Sequence, residues 1–255
     1  MKKTLISLLT CLCASGVFAN DDGSIFIRTL REESSAVKTD NKLDTLEVNE
    51  TVSAKNVQIK CPATGFASFA LSNRSAGVLK GDSCMMFTEF KHKSEIFNNI
   101  NMEEEAVPSN VQIYLEKGEL TISRAQPRPG SKFIINTPFG SFHCTGREIK
   151  VSVGENNASA YAYRAPFSFY PIDSKKAEYI NTGYAISASK DGANISLSRA
   201  SINNEDDSYV ADFTSAENAW RNTMFEAGGE DNLMIGKRIV QKTFHLKRPI
   251  IPRKR

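Results

Sequence analysis

The chain has 255 residues, of which 40% are hydrophobic and 24% charged, with a formal charge of +3. These are ordinary values for a folded protein, so wholesale disorder is excluded. Beyond the N-terminus no apolar run reaches the roughly 18 residues that a membrane helix needs, which excludes a polytopic membrane protein.

Met1-Lys2-Lys3 is a positive n-region, Leu5 to Cys13 is a short apolar core, and Val17-Phe18-Ala19 suits the −3 to −1 positions of a cleavage site before Asn20. A buried N-terminal helix fits poorly, because it would open on two lysines and run into Asn20-Asp21-Asp22-Gly23. Neither Cys11 nor Cys13 follows the small residue that lipidation requires. Residues 1–19 therefore read as a cleaved export signal, with the cut between Ala19 and Asn20. The product is periplasmic or secreted, with no transmembrane segment after cleavage.

The net charge hides an asymmetry. Lys237 to Arg255 carries eight bases and no acid, whereas residues 20–236 carry 22 bases against 29 acids. Cleavage leaves three cysteines, Cys61, Cys84 and Cys144. An odd number in an exported chain allows one disulfide plus a free thiol. Cys61 shares the phase of Val57 and Ile59, and Cys144 that of Phe142, which favours three buried small hydrophobes.

From Ser24 to about Arg199 the pattern is short, period-two and interrupted every eight to twelve residues. Val57, Ile59 and Cys61 alternate with polar neighbours, as do Ala67, Phe69 and Leu71, then Val111, Ile113 and Leu115, then Ile149, Val151 and Val153, and finally Ile195 and Leu197. Turn signals lie at Pro62–Gly65, Ser72–Ser75, Lys80–Asp82, Lys117-Gly118, Pro127–Gly130, Gly154–Asn157 and Asp191-Gly192. This predicts an all-β fold: a single large β-sandwich or irregular β-solenoid. The apolar phase moves from even positions (Phe142, Cys144) to odd ones (Ile149, Val151), so a kink or strand end is expected near Gly146.

Helix is scarce. The best segment runs from Ser215 to Ala227, with Thr214 and Glu217 as a capping box, an apolar stripe of Ala216, Trp220, Met224 and Ala227, and a stop at Gly228-Gly229. A weaker one spans Lys91 to Ile100. Asn203 to Asp207 reads as a linker. The resulting layout is a signal over 1–19, an all-β body over 20–200, a linker and short helical appendix over 201–236, and a basic tail over 237–255.

Three stretches carry a resemblance. The first is Phe69-Ala70-Leu71-Ser72-Asn73, Lys80-Gly81-Asp82-Ser83 and Phe87-Thr88-Glu89-Phe90. The second is Val107-Pro108-Ser109 with Ile113 to Leu120, including Gly118. The third is Phe133 to Gly140, whose Thr137-Pro138-Phe139-Gly140 turn is followed by Gly146 and an alternating strand to Val153. Together they resemble the FecR domain family, all-β extracytoplasmic domains of bacterial envelope proteins, over a core of about residues 51–155. Where the family usually has Arg-Gly-Thr, this chain has Thr145-Gly146-Arg147, keeping only the glycine. The resemblance implies a binding or scaffolding role with an envelope protein or cell-wall polymer as partner. It also implies, as an alternative, a periplasmic regulator in iron uptake or sigma/anti-sigma surface signalling.

Catalytic constellations are poor. Ser187-Ala188-Ser189-Lys190 spells the S-x-x-K of penicillin-recognising enzymes, but among strands and without a following Lys-Thr-Gly. A hydrolase using Ser187 and Lys190 is the lesser alternative. Gly229 to Arg238 imitates a phosphate loop with the wrong glycine spacing. His92, His143 and His245 are scattered, so neither a metal site nor a triad is expected, and no cofactor. Glu103-Glu104-Glu105 reads as a solvated loop or a weak calcium site. Tyr161, Tyr163, Phe167, Phe169 and Tyr170 read as a core strand pair with tyrosine edges, or as a partner- or carbohydrate-binding face. The tail, with Lys247, Arg248, Arg253, Lys254 and Arg255, reads as a solvated end or as a contact to an anionic envelope surface. Export removes nucleic acid as a partner. The overall expectation is a non-enzymatic exported binding protein.

Overall fold

Alternation of apolar and polar residues makes strands of most of the chain. The computed structural model describes residues 20–39, 44–93, 103–105, 107–172, 174, 176–191, 194–202, 207–227 and 234–238. Residues 1–19 and the tail from 239 lie outside that set, and with them Ala19, Lys247, Arg248, Arg253, Lys254 and Arg255.

The chain opens with β1 (Asn20–Asp22), β2 (Ser24–Arg31), β3 (Ser35–Lys38), β4 (Asp44–Leu46) and β5 (Thr51–Ser53). The middle holds β6 (Val57–Cys61), β7 (Phe66–Leu71) and the two longest strands, β8 (Ser75–Lys93) and β9 (Ser109–Arg124). Then follow β10 (Lys132–Thr137), β11 (Gly140–Cys144), β12 (Glu148–Val153), β13 (Asn157–Ala162), β14 (Phe167–Pro171), β15 (Glu178–Ile180), β16 (Tyr184–Asp191) and β17 (Asn194–Ser201). One helix, α1 (Asp207–Arg221), and a hairpin of β18 (Thr223–Ala227) and β19 (Met234–Arg238) end the described chain.

β1 to β17 form one hydrogen-bonded network that folds into two facing layers. The fold line is a bend in β8 and β9. Their register breaks between Lys80 and Cys84, and Gly81 and Gly118 take left-handed φ values of 68° and 94°. Bulges of this kind let a strand leave one sheet and enter another. On one side of the bend the layer runs β5-β2-β7-β8-β9-β12-β13-β16-β17, and on the other it runs β4-β3-β6-β8-β9-β10-β11-β14-β15. β9 and β10 pair in parallel, so the sheet is mixed. One core fills the space between layers, and Phe69 of the first meets Phe87 of the second edge-on at 5.4 Å. The fold is all-β with a short helical appendix.

Three expected features are corrected. Lys80–Asp82 and Lys117-Gly118 are bends inside long strands rather than chain reversals, because each glycine sits where a strand changes layer. The helix covers Asp207–Arg221 rather than Ser215–Ala227. Thr214 is therefore mid-helix and caps nothing, and Met224 lies exposed in β18. Lys91 to Lys93, read as helical, belong to β8, and residues 94–100 lie outside the described set. Near Gly146 the phase change is a strand end: β11 stops at Cys144 and β12 starts at Glu148 in the opposite layer.

The helix lies on the outer face of the first layer. Ala70 and Ala76 of the sheet, with Ala125, leave room for Ala219 and the indole of Trp220, which form a second, smaller core. The Trp220 Nε1–H donates to Ser123 Oγ at 3.0 Å, and Arg28 donates to the Ala219 carbonyl at 2.8 Å, closing the helix C-terminus.

Candidate functional site

The bend in β8 and β9 creates a cleft of about 820 Å³ at one end of the sandwich. Gly81 and Gly118 form its floor, the Thr137–Gly140 turn supplies Pro138, the β12–β13 turn supplies Gly154 and Glu155, and the first turn of α1 supplies Ser208. Tertiary structure thus brings together Gly118 and Pro138, two residues of the sequence motif, from strands that run side by side in parallel. Thr137 shapes the turn by donating to the Gly140 carbonyl at 2.9 Å and accepting the Phe139 N–H at 3.2 Å. Gly140 has φ of 144°, and a Cβ there would lie 2.9 Å from Pro171 Cα. Gly146 is elsewhere. Its φ is not left-handed, and glycine is required there because a Cβ would overlap the Ala165 methyl.

The walls of the cleft are charged and mostly paired. Lys117 Nζ meets both Asp82 oxygens at 2.7 Å, and that hydrogen-bonded carboxylate raises the lysine pKa. Lys80 Nζ lies 2.5 Å from Asp212 Oδ2 and donates to Ser208 Oγ at 2.7 Å, tying α1 to β8. These two contacts clamp the first turns of the helix to the sheet. Lys150 reaches Glu119 at 3.4 Å. Glu116 and Glu155 add carboxylates at the rim. Such a surface can accept hydrogen bonds from amines and hydroxyls.

At the opposite mouth of the sandwich a buried polar cluster closes the core. Glu105 and Arg124 are 1% and 2% exposed, with Arg124 Nη2 3.6 Å from Glu105 Oε2. Glu105 accepts from Asn73 Nδ2 at 3.2 Å, from the Arg128 N–H at 3.2 Å, and from the hydroxyls of Ser109 and Ser131. Arg124 also stacks over Phe133, 5.3 Å from the ring centre. The solvated loop expected at Glu103–Glu105 is thus corrected: Glu105 is a core residue. Glu103 is exposed and held by Arg221 at 2.5 Å and Arg147 at 3.2 Å, the Arg221 hydrogen bond lowering its pKa. One signal could have exposed this pair. Arg124 continues the inward phase of Leu120 and Ile122, a core position holding a charge.

The remaining motif residues disperse. Ser187 and Lys190 lie on β16, an odd number of residues apart, so they face opposite sides of the strand and cannot cooperate. His92 is buried near Phe90, and His143 stacks on Tyr170 at 4.3 Å with its pKa lowered by burial and by Lys132. His245 is outside the described residues. Among the described residues no three His, Cys, Asp or Glu side chains converge as a metal site would require. Cys61, Cys84 and Cys144 are free and buried. The aromatic run divides: Phe167 and Phe169 enter the core against Phe142, while Tyr161 and Tyr163 point outward and stack toward Tyr209 of α1.

Fold and site together define an all-β sandwich with a polar cleft at its fold line. No protein-family model matches the sequence, and no curated protein matches it. Among solved structures the chain is similar to two crystal structures, at 2.50 and 1.65 Å, of a "putative anti-sigma factor" from Parabacteroides distasonis ATCC 8503. Identities are 12% and 11%, and TM-scores 0.42 and 0.41. The match covers 57% of this chain and 59% of those chains. At these values the similarity assigns no activity to this chain.

Proposed function

We propose that this is a non-enzymatic, exported, FecR-like binding protein of the bacterial envelope, with the cleft between Gly118 and Pro138 as its binding site. One observation carries the reading: motif residues far apart in sequence meet at a single cleft, whose rim carries Glu116 and Glu155. The partner is an envelope protein presenting a basic segment, or a cell-wall polymer presenting amines and hydroxyls. Export is supported by the N-terminal pattern of Met1 to Ala19: a basic start, a short apolar core and small residues before Asn20.

The test has two arms. Mass analysis of the native protein should give a chain starting at Asn20. Immobilised mature protein should capture one partner from envelope extracts or from solubilised wall fragments, and a Glu116→Lys/Glu155→Lys variant should lose it. Equal capture by both forms overturns the cleft as the site. Capture of an outer-membrane receptor or a membrane-bound anti-sigma factor would make the protein a regulator. Hydrolase activity that falls in Ser187→Ala would return it to the enzymes.

A further inference from the structure

Each layer of the sandwich has two outer strands. Three of these four, β4, β5 and β15, are three residues long. The fourth, β17, has eight and pairs along its whole length with β16 alone among the described residues. Short edge strands are a means of preventing sheet-to-sheet association, and long open ones invite it.

The direction of the open hydrogen-bonding groups is fixed by two bonds. The Lys190 N–H donates to the Asn156 carbonyl at 2.9 Å, on the β13 side, so its partner across β17, Ile195, points its own N–H and C=O away from β16. The Ile202 N–H donates to the Gly183 carbonyl at 2.8 Å, which commits the even-numbered residues to β16. Ile195, Leu197 and Arg199 therefore present their backbone groups outward. The edge contains no proline or lysine, and Arg199, its one charge, is engaged by Glu178 of β15. Leu197 stands opposite Ala188 and so shares its core-facing side, yet it is 40% exposed. The second layer ends at short β15 and does not reach over it.

We propose that β17 pairs antiparallel with β17 of a second copy of this chain, across a two-fold axis at Leu197. The edges decide the occupant. Head-to-tail joining needs a second edge of matching length, and among the described residues the other open edges are three residues long in the sandwich and five in the β18–β19 hairpin, whereas a two-fold pairing needs β17 alone. With the axis at Leu197, Ile195 faces the partner's Arg199, and Leu197 faces the partner's Leu197. About six backbone hydrogen bonds form. The two leucines cover each other, and the two arginines are kept off the axis, each neutralised by its own Glu178. This surface is separate from the cleft, so the dimer does not depend on the binding proposed there.

Seven paired residues a side span about 24 Å, a single strip of contact, whereas stable interfaces bury upward of about 1,200 Å². The dimer is therefore read by sedimentation velocity of the mature protein over a concentration series. Wild type should shift from monomer to dimer. Leu197→Pro, which removes only an outward N–H, and Leu197→Lys, which sets two ammonium groups on the axis, should both stay monomeric with unchanged circular dichroism. Leu197→Cys should give a disulfide-linked dimer on mild oxidation, because directly opposed, hydrogen-bonded residues have Cα atoms about 5.5 Å apart. A wild type that stays monomeric throughout, a Leu197→Pro that dimerises as well as wild type, or a Leu197→Cys that does not cross-link each overturns the proposal.

Discussion

Gly118 and Ser83 meet where β8 and β9 bend between layers: a Cβ on Gly118 would lie 2.5 Å from Ser83 Cα and inside the Ser83 hydroxyl. That hydroxyl donates to the Lys80 carbonyl and accepts the Glu119 N–H at 3.0 Å, so it cannot move aside without opening the bulge. Gly118 also has a left-handed φ of 94°. Gly118→Ala should therefore cost about 2–4 kcal/mol, combining backbone strain with overpacking. Gly81→Ala, with the same hand of φ but nothing within 4 Å of the new Cβ, should cost only about 1–2 kcal/mol. Urea unfolding of both variants tests this, and equal costs would show that the bend does not depend on the Ser83 contact.

Arg124→Met should be among the costliest core substitutions, about 3–5 kcal/mol, because it strands the Glu105 carboxylate in the core. Arg124→Met with Glu105→Gln should recover much of that loss. A double-mutant cycle in denaturant measures the coupling, and strictly additive costs would contradict the pair.

The thiols predict a pH dependence. Burial, then the hydrogen bond that its S–H donates to Glu116, pushes Cys84 up from an ordinary 9.0 to about 11, and burial raises Cys61 and Cys144 as well. A raised pKa means that the folded state keeps protons that the unfolded chain releases. The associated stability is complete below pH 9 and declines as pH rises through about 11. Cys84→Ala should flatten this alkaline decline in thermal melts. Ellman's reagent at pH 8 should label none of the three thiols before unfolding.

Trp220 is the only tryptophan in the chain and is buried under α1, so its emission reports helix docking. Asp212→Asn breaks the 2.5 Å pair with Lys80 without touching the indole. Its fluorescence should redden at lower urea than the far-ultraviolet β signal is lost, whereas wild type should show closer transitions. Coincident transitions in the variant would mean that the helix and sheet unfold as one unit.

The tail carries the remaining prediction. Each base near an anionic surface contributes about 1 kcal/mol, and screening acts over about 8 Å at physiological salt. Deleting Pro249 to Arg255 should release the protein from envelope fractions at lower salt than the full chain requires. Identical release would make the tail a solvated end.

Most strands were legible because burial on one face imposes a period of two, and Val57–Cys61, Val111–Leu115 and Ile149–Val153 state that period without interruption. The break before β12 was legible for the same reason, since a strand cannot reverse its faces without ending or bulging. The helix was misplaced because its stripe is short: Ala219 and Trp220 pack on alanines of β7 and β8, and no local pattern announces that docking surface. Turn chemistry at Gly81 and Gly118 was equally ambiguous, since the same left-handed glycine that reverses a chain also bends one. Glu105 read as part of a solvated loop because its burial depends on Asn73, Ser109 and Ser131 arriving from three separate segments. The sequence by itself determined the strands, since side-chain alternation is a local property. Only the tertiary structure decided which glycines bend, where the cleft opens and which long edge has one neighbour among the described residues, because each depends on contacts between residues far apart along the chain.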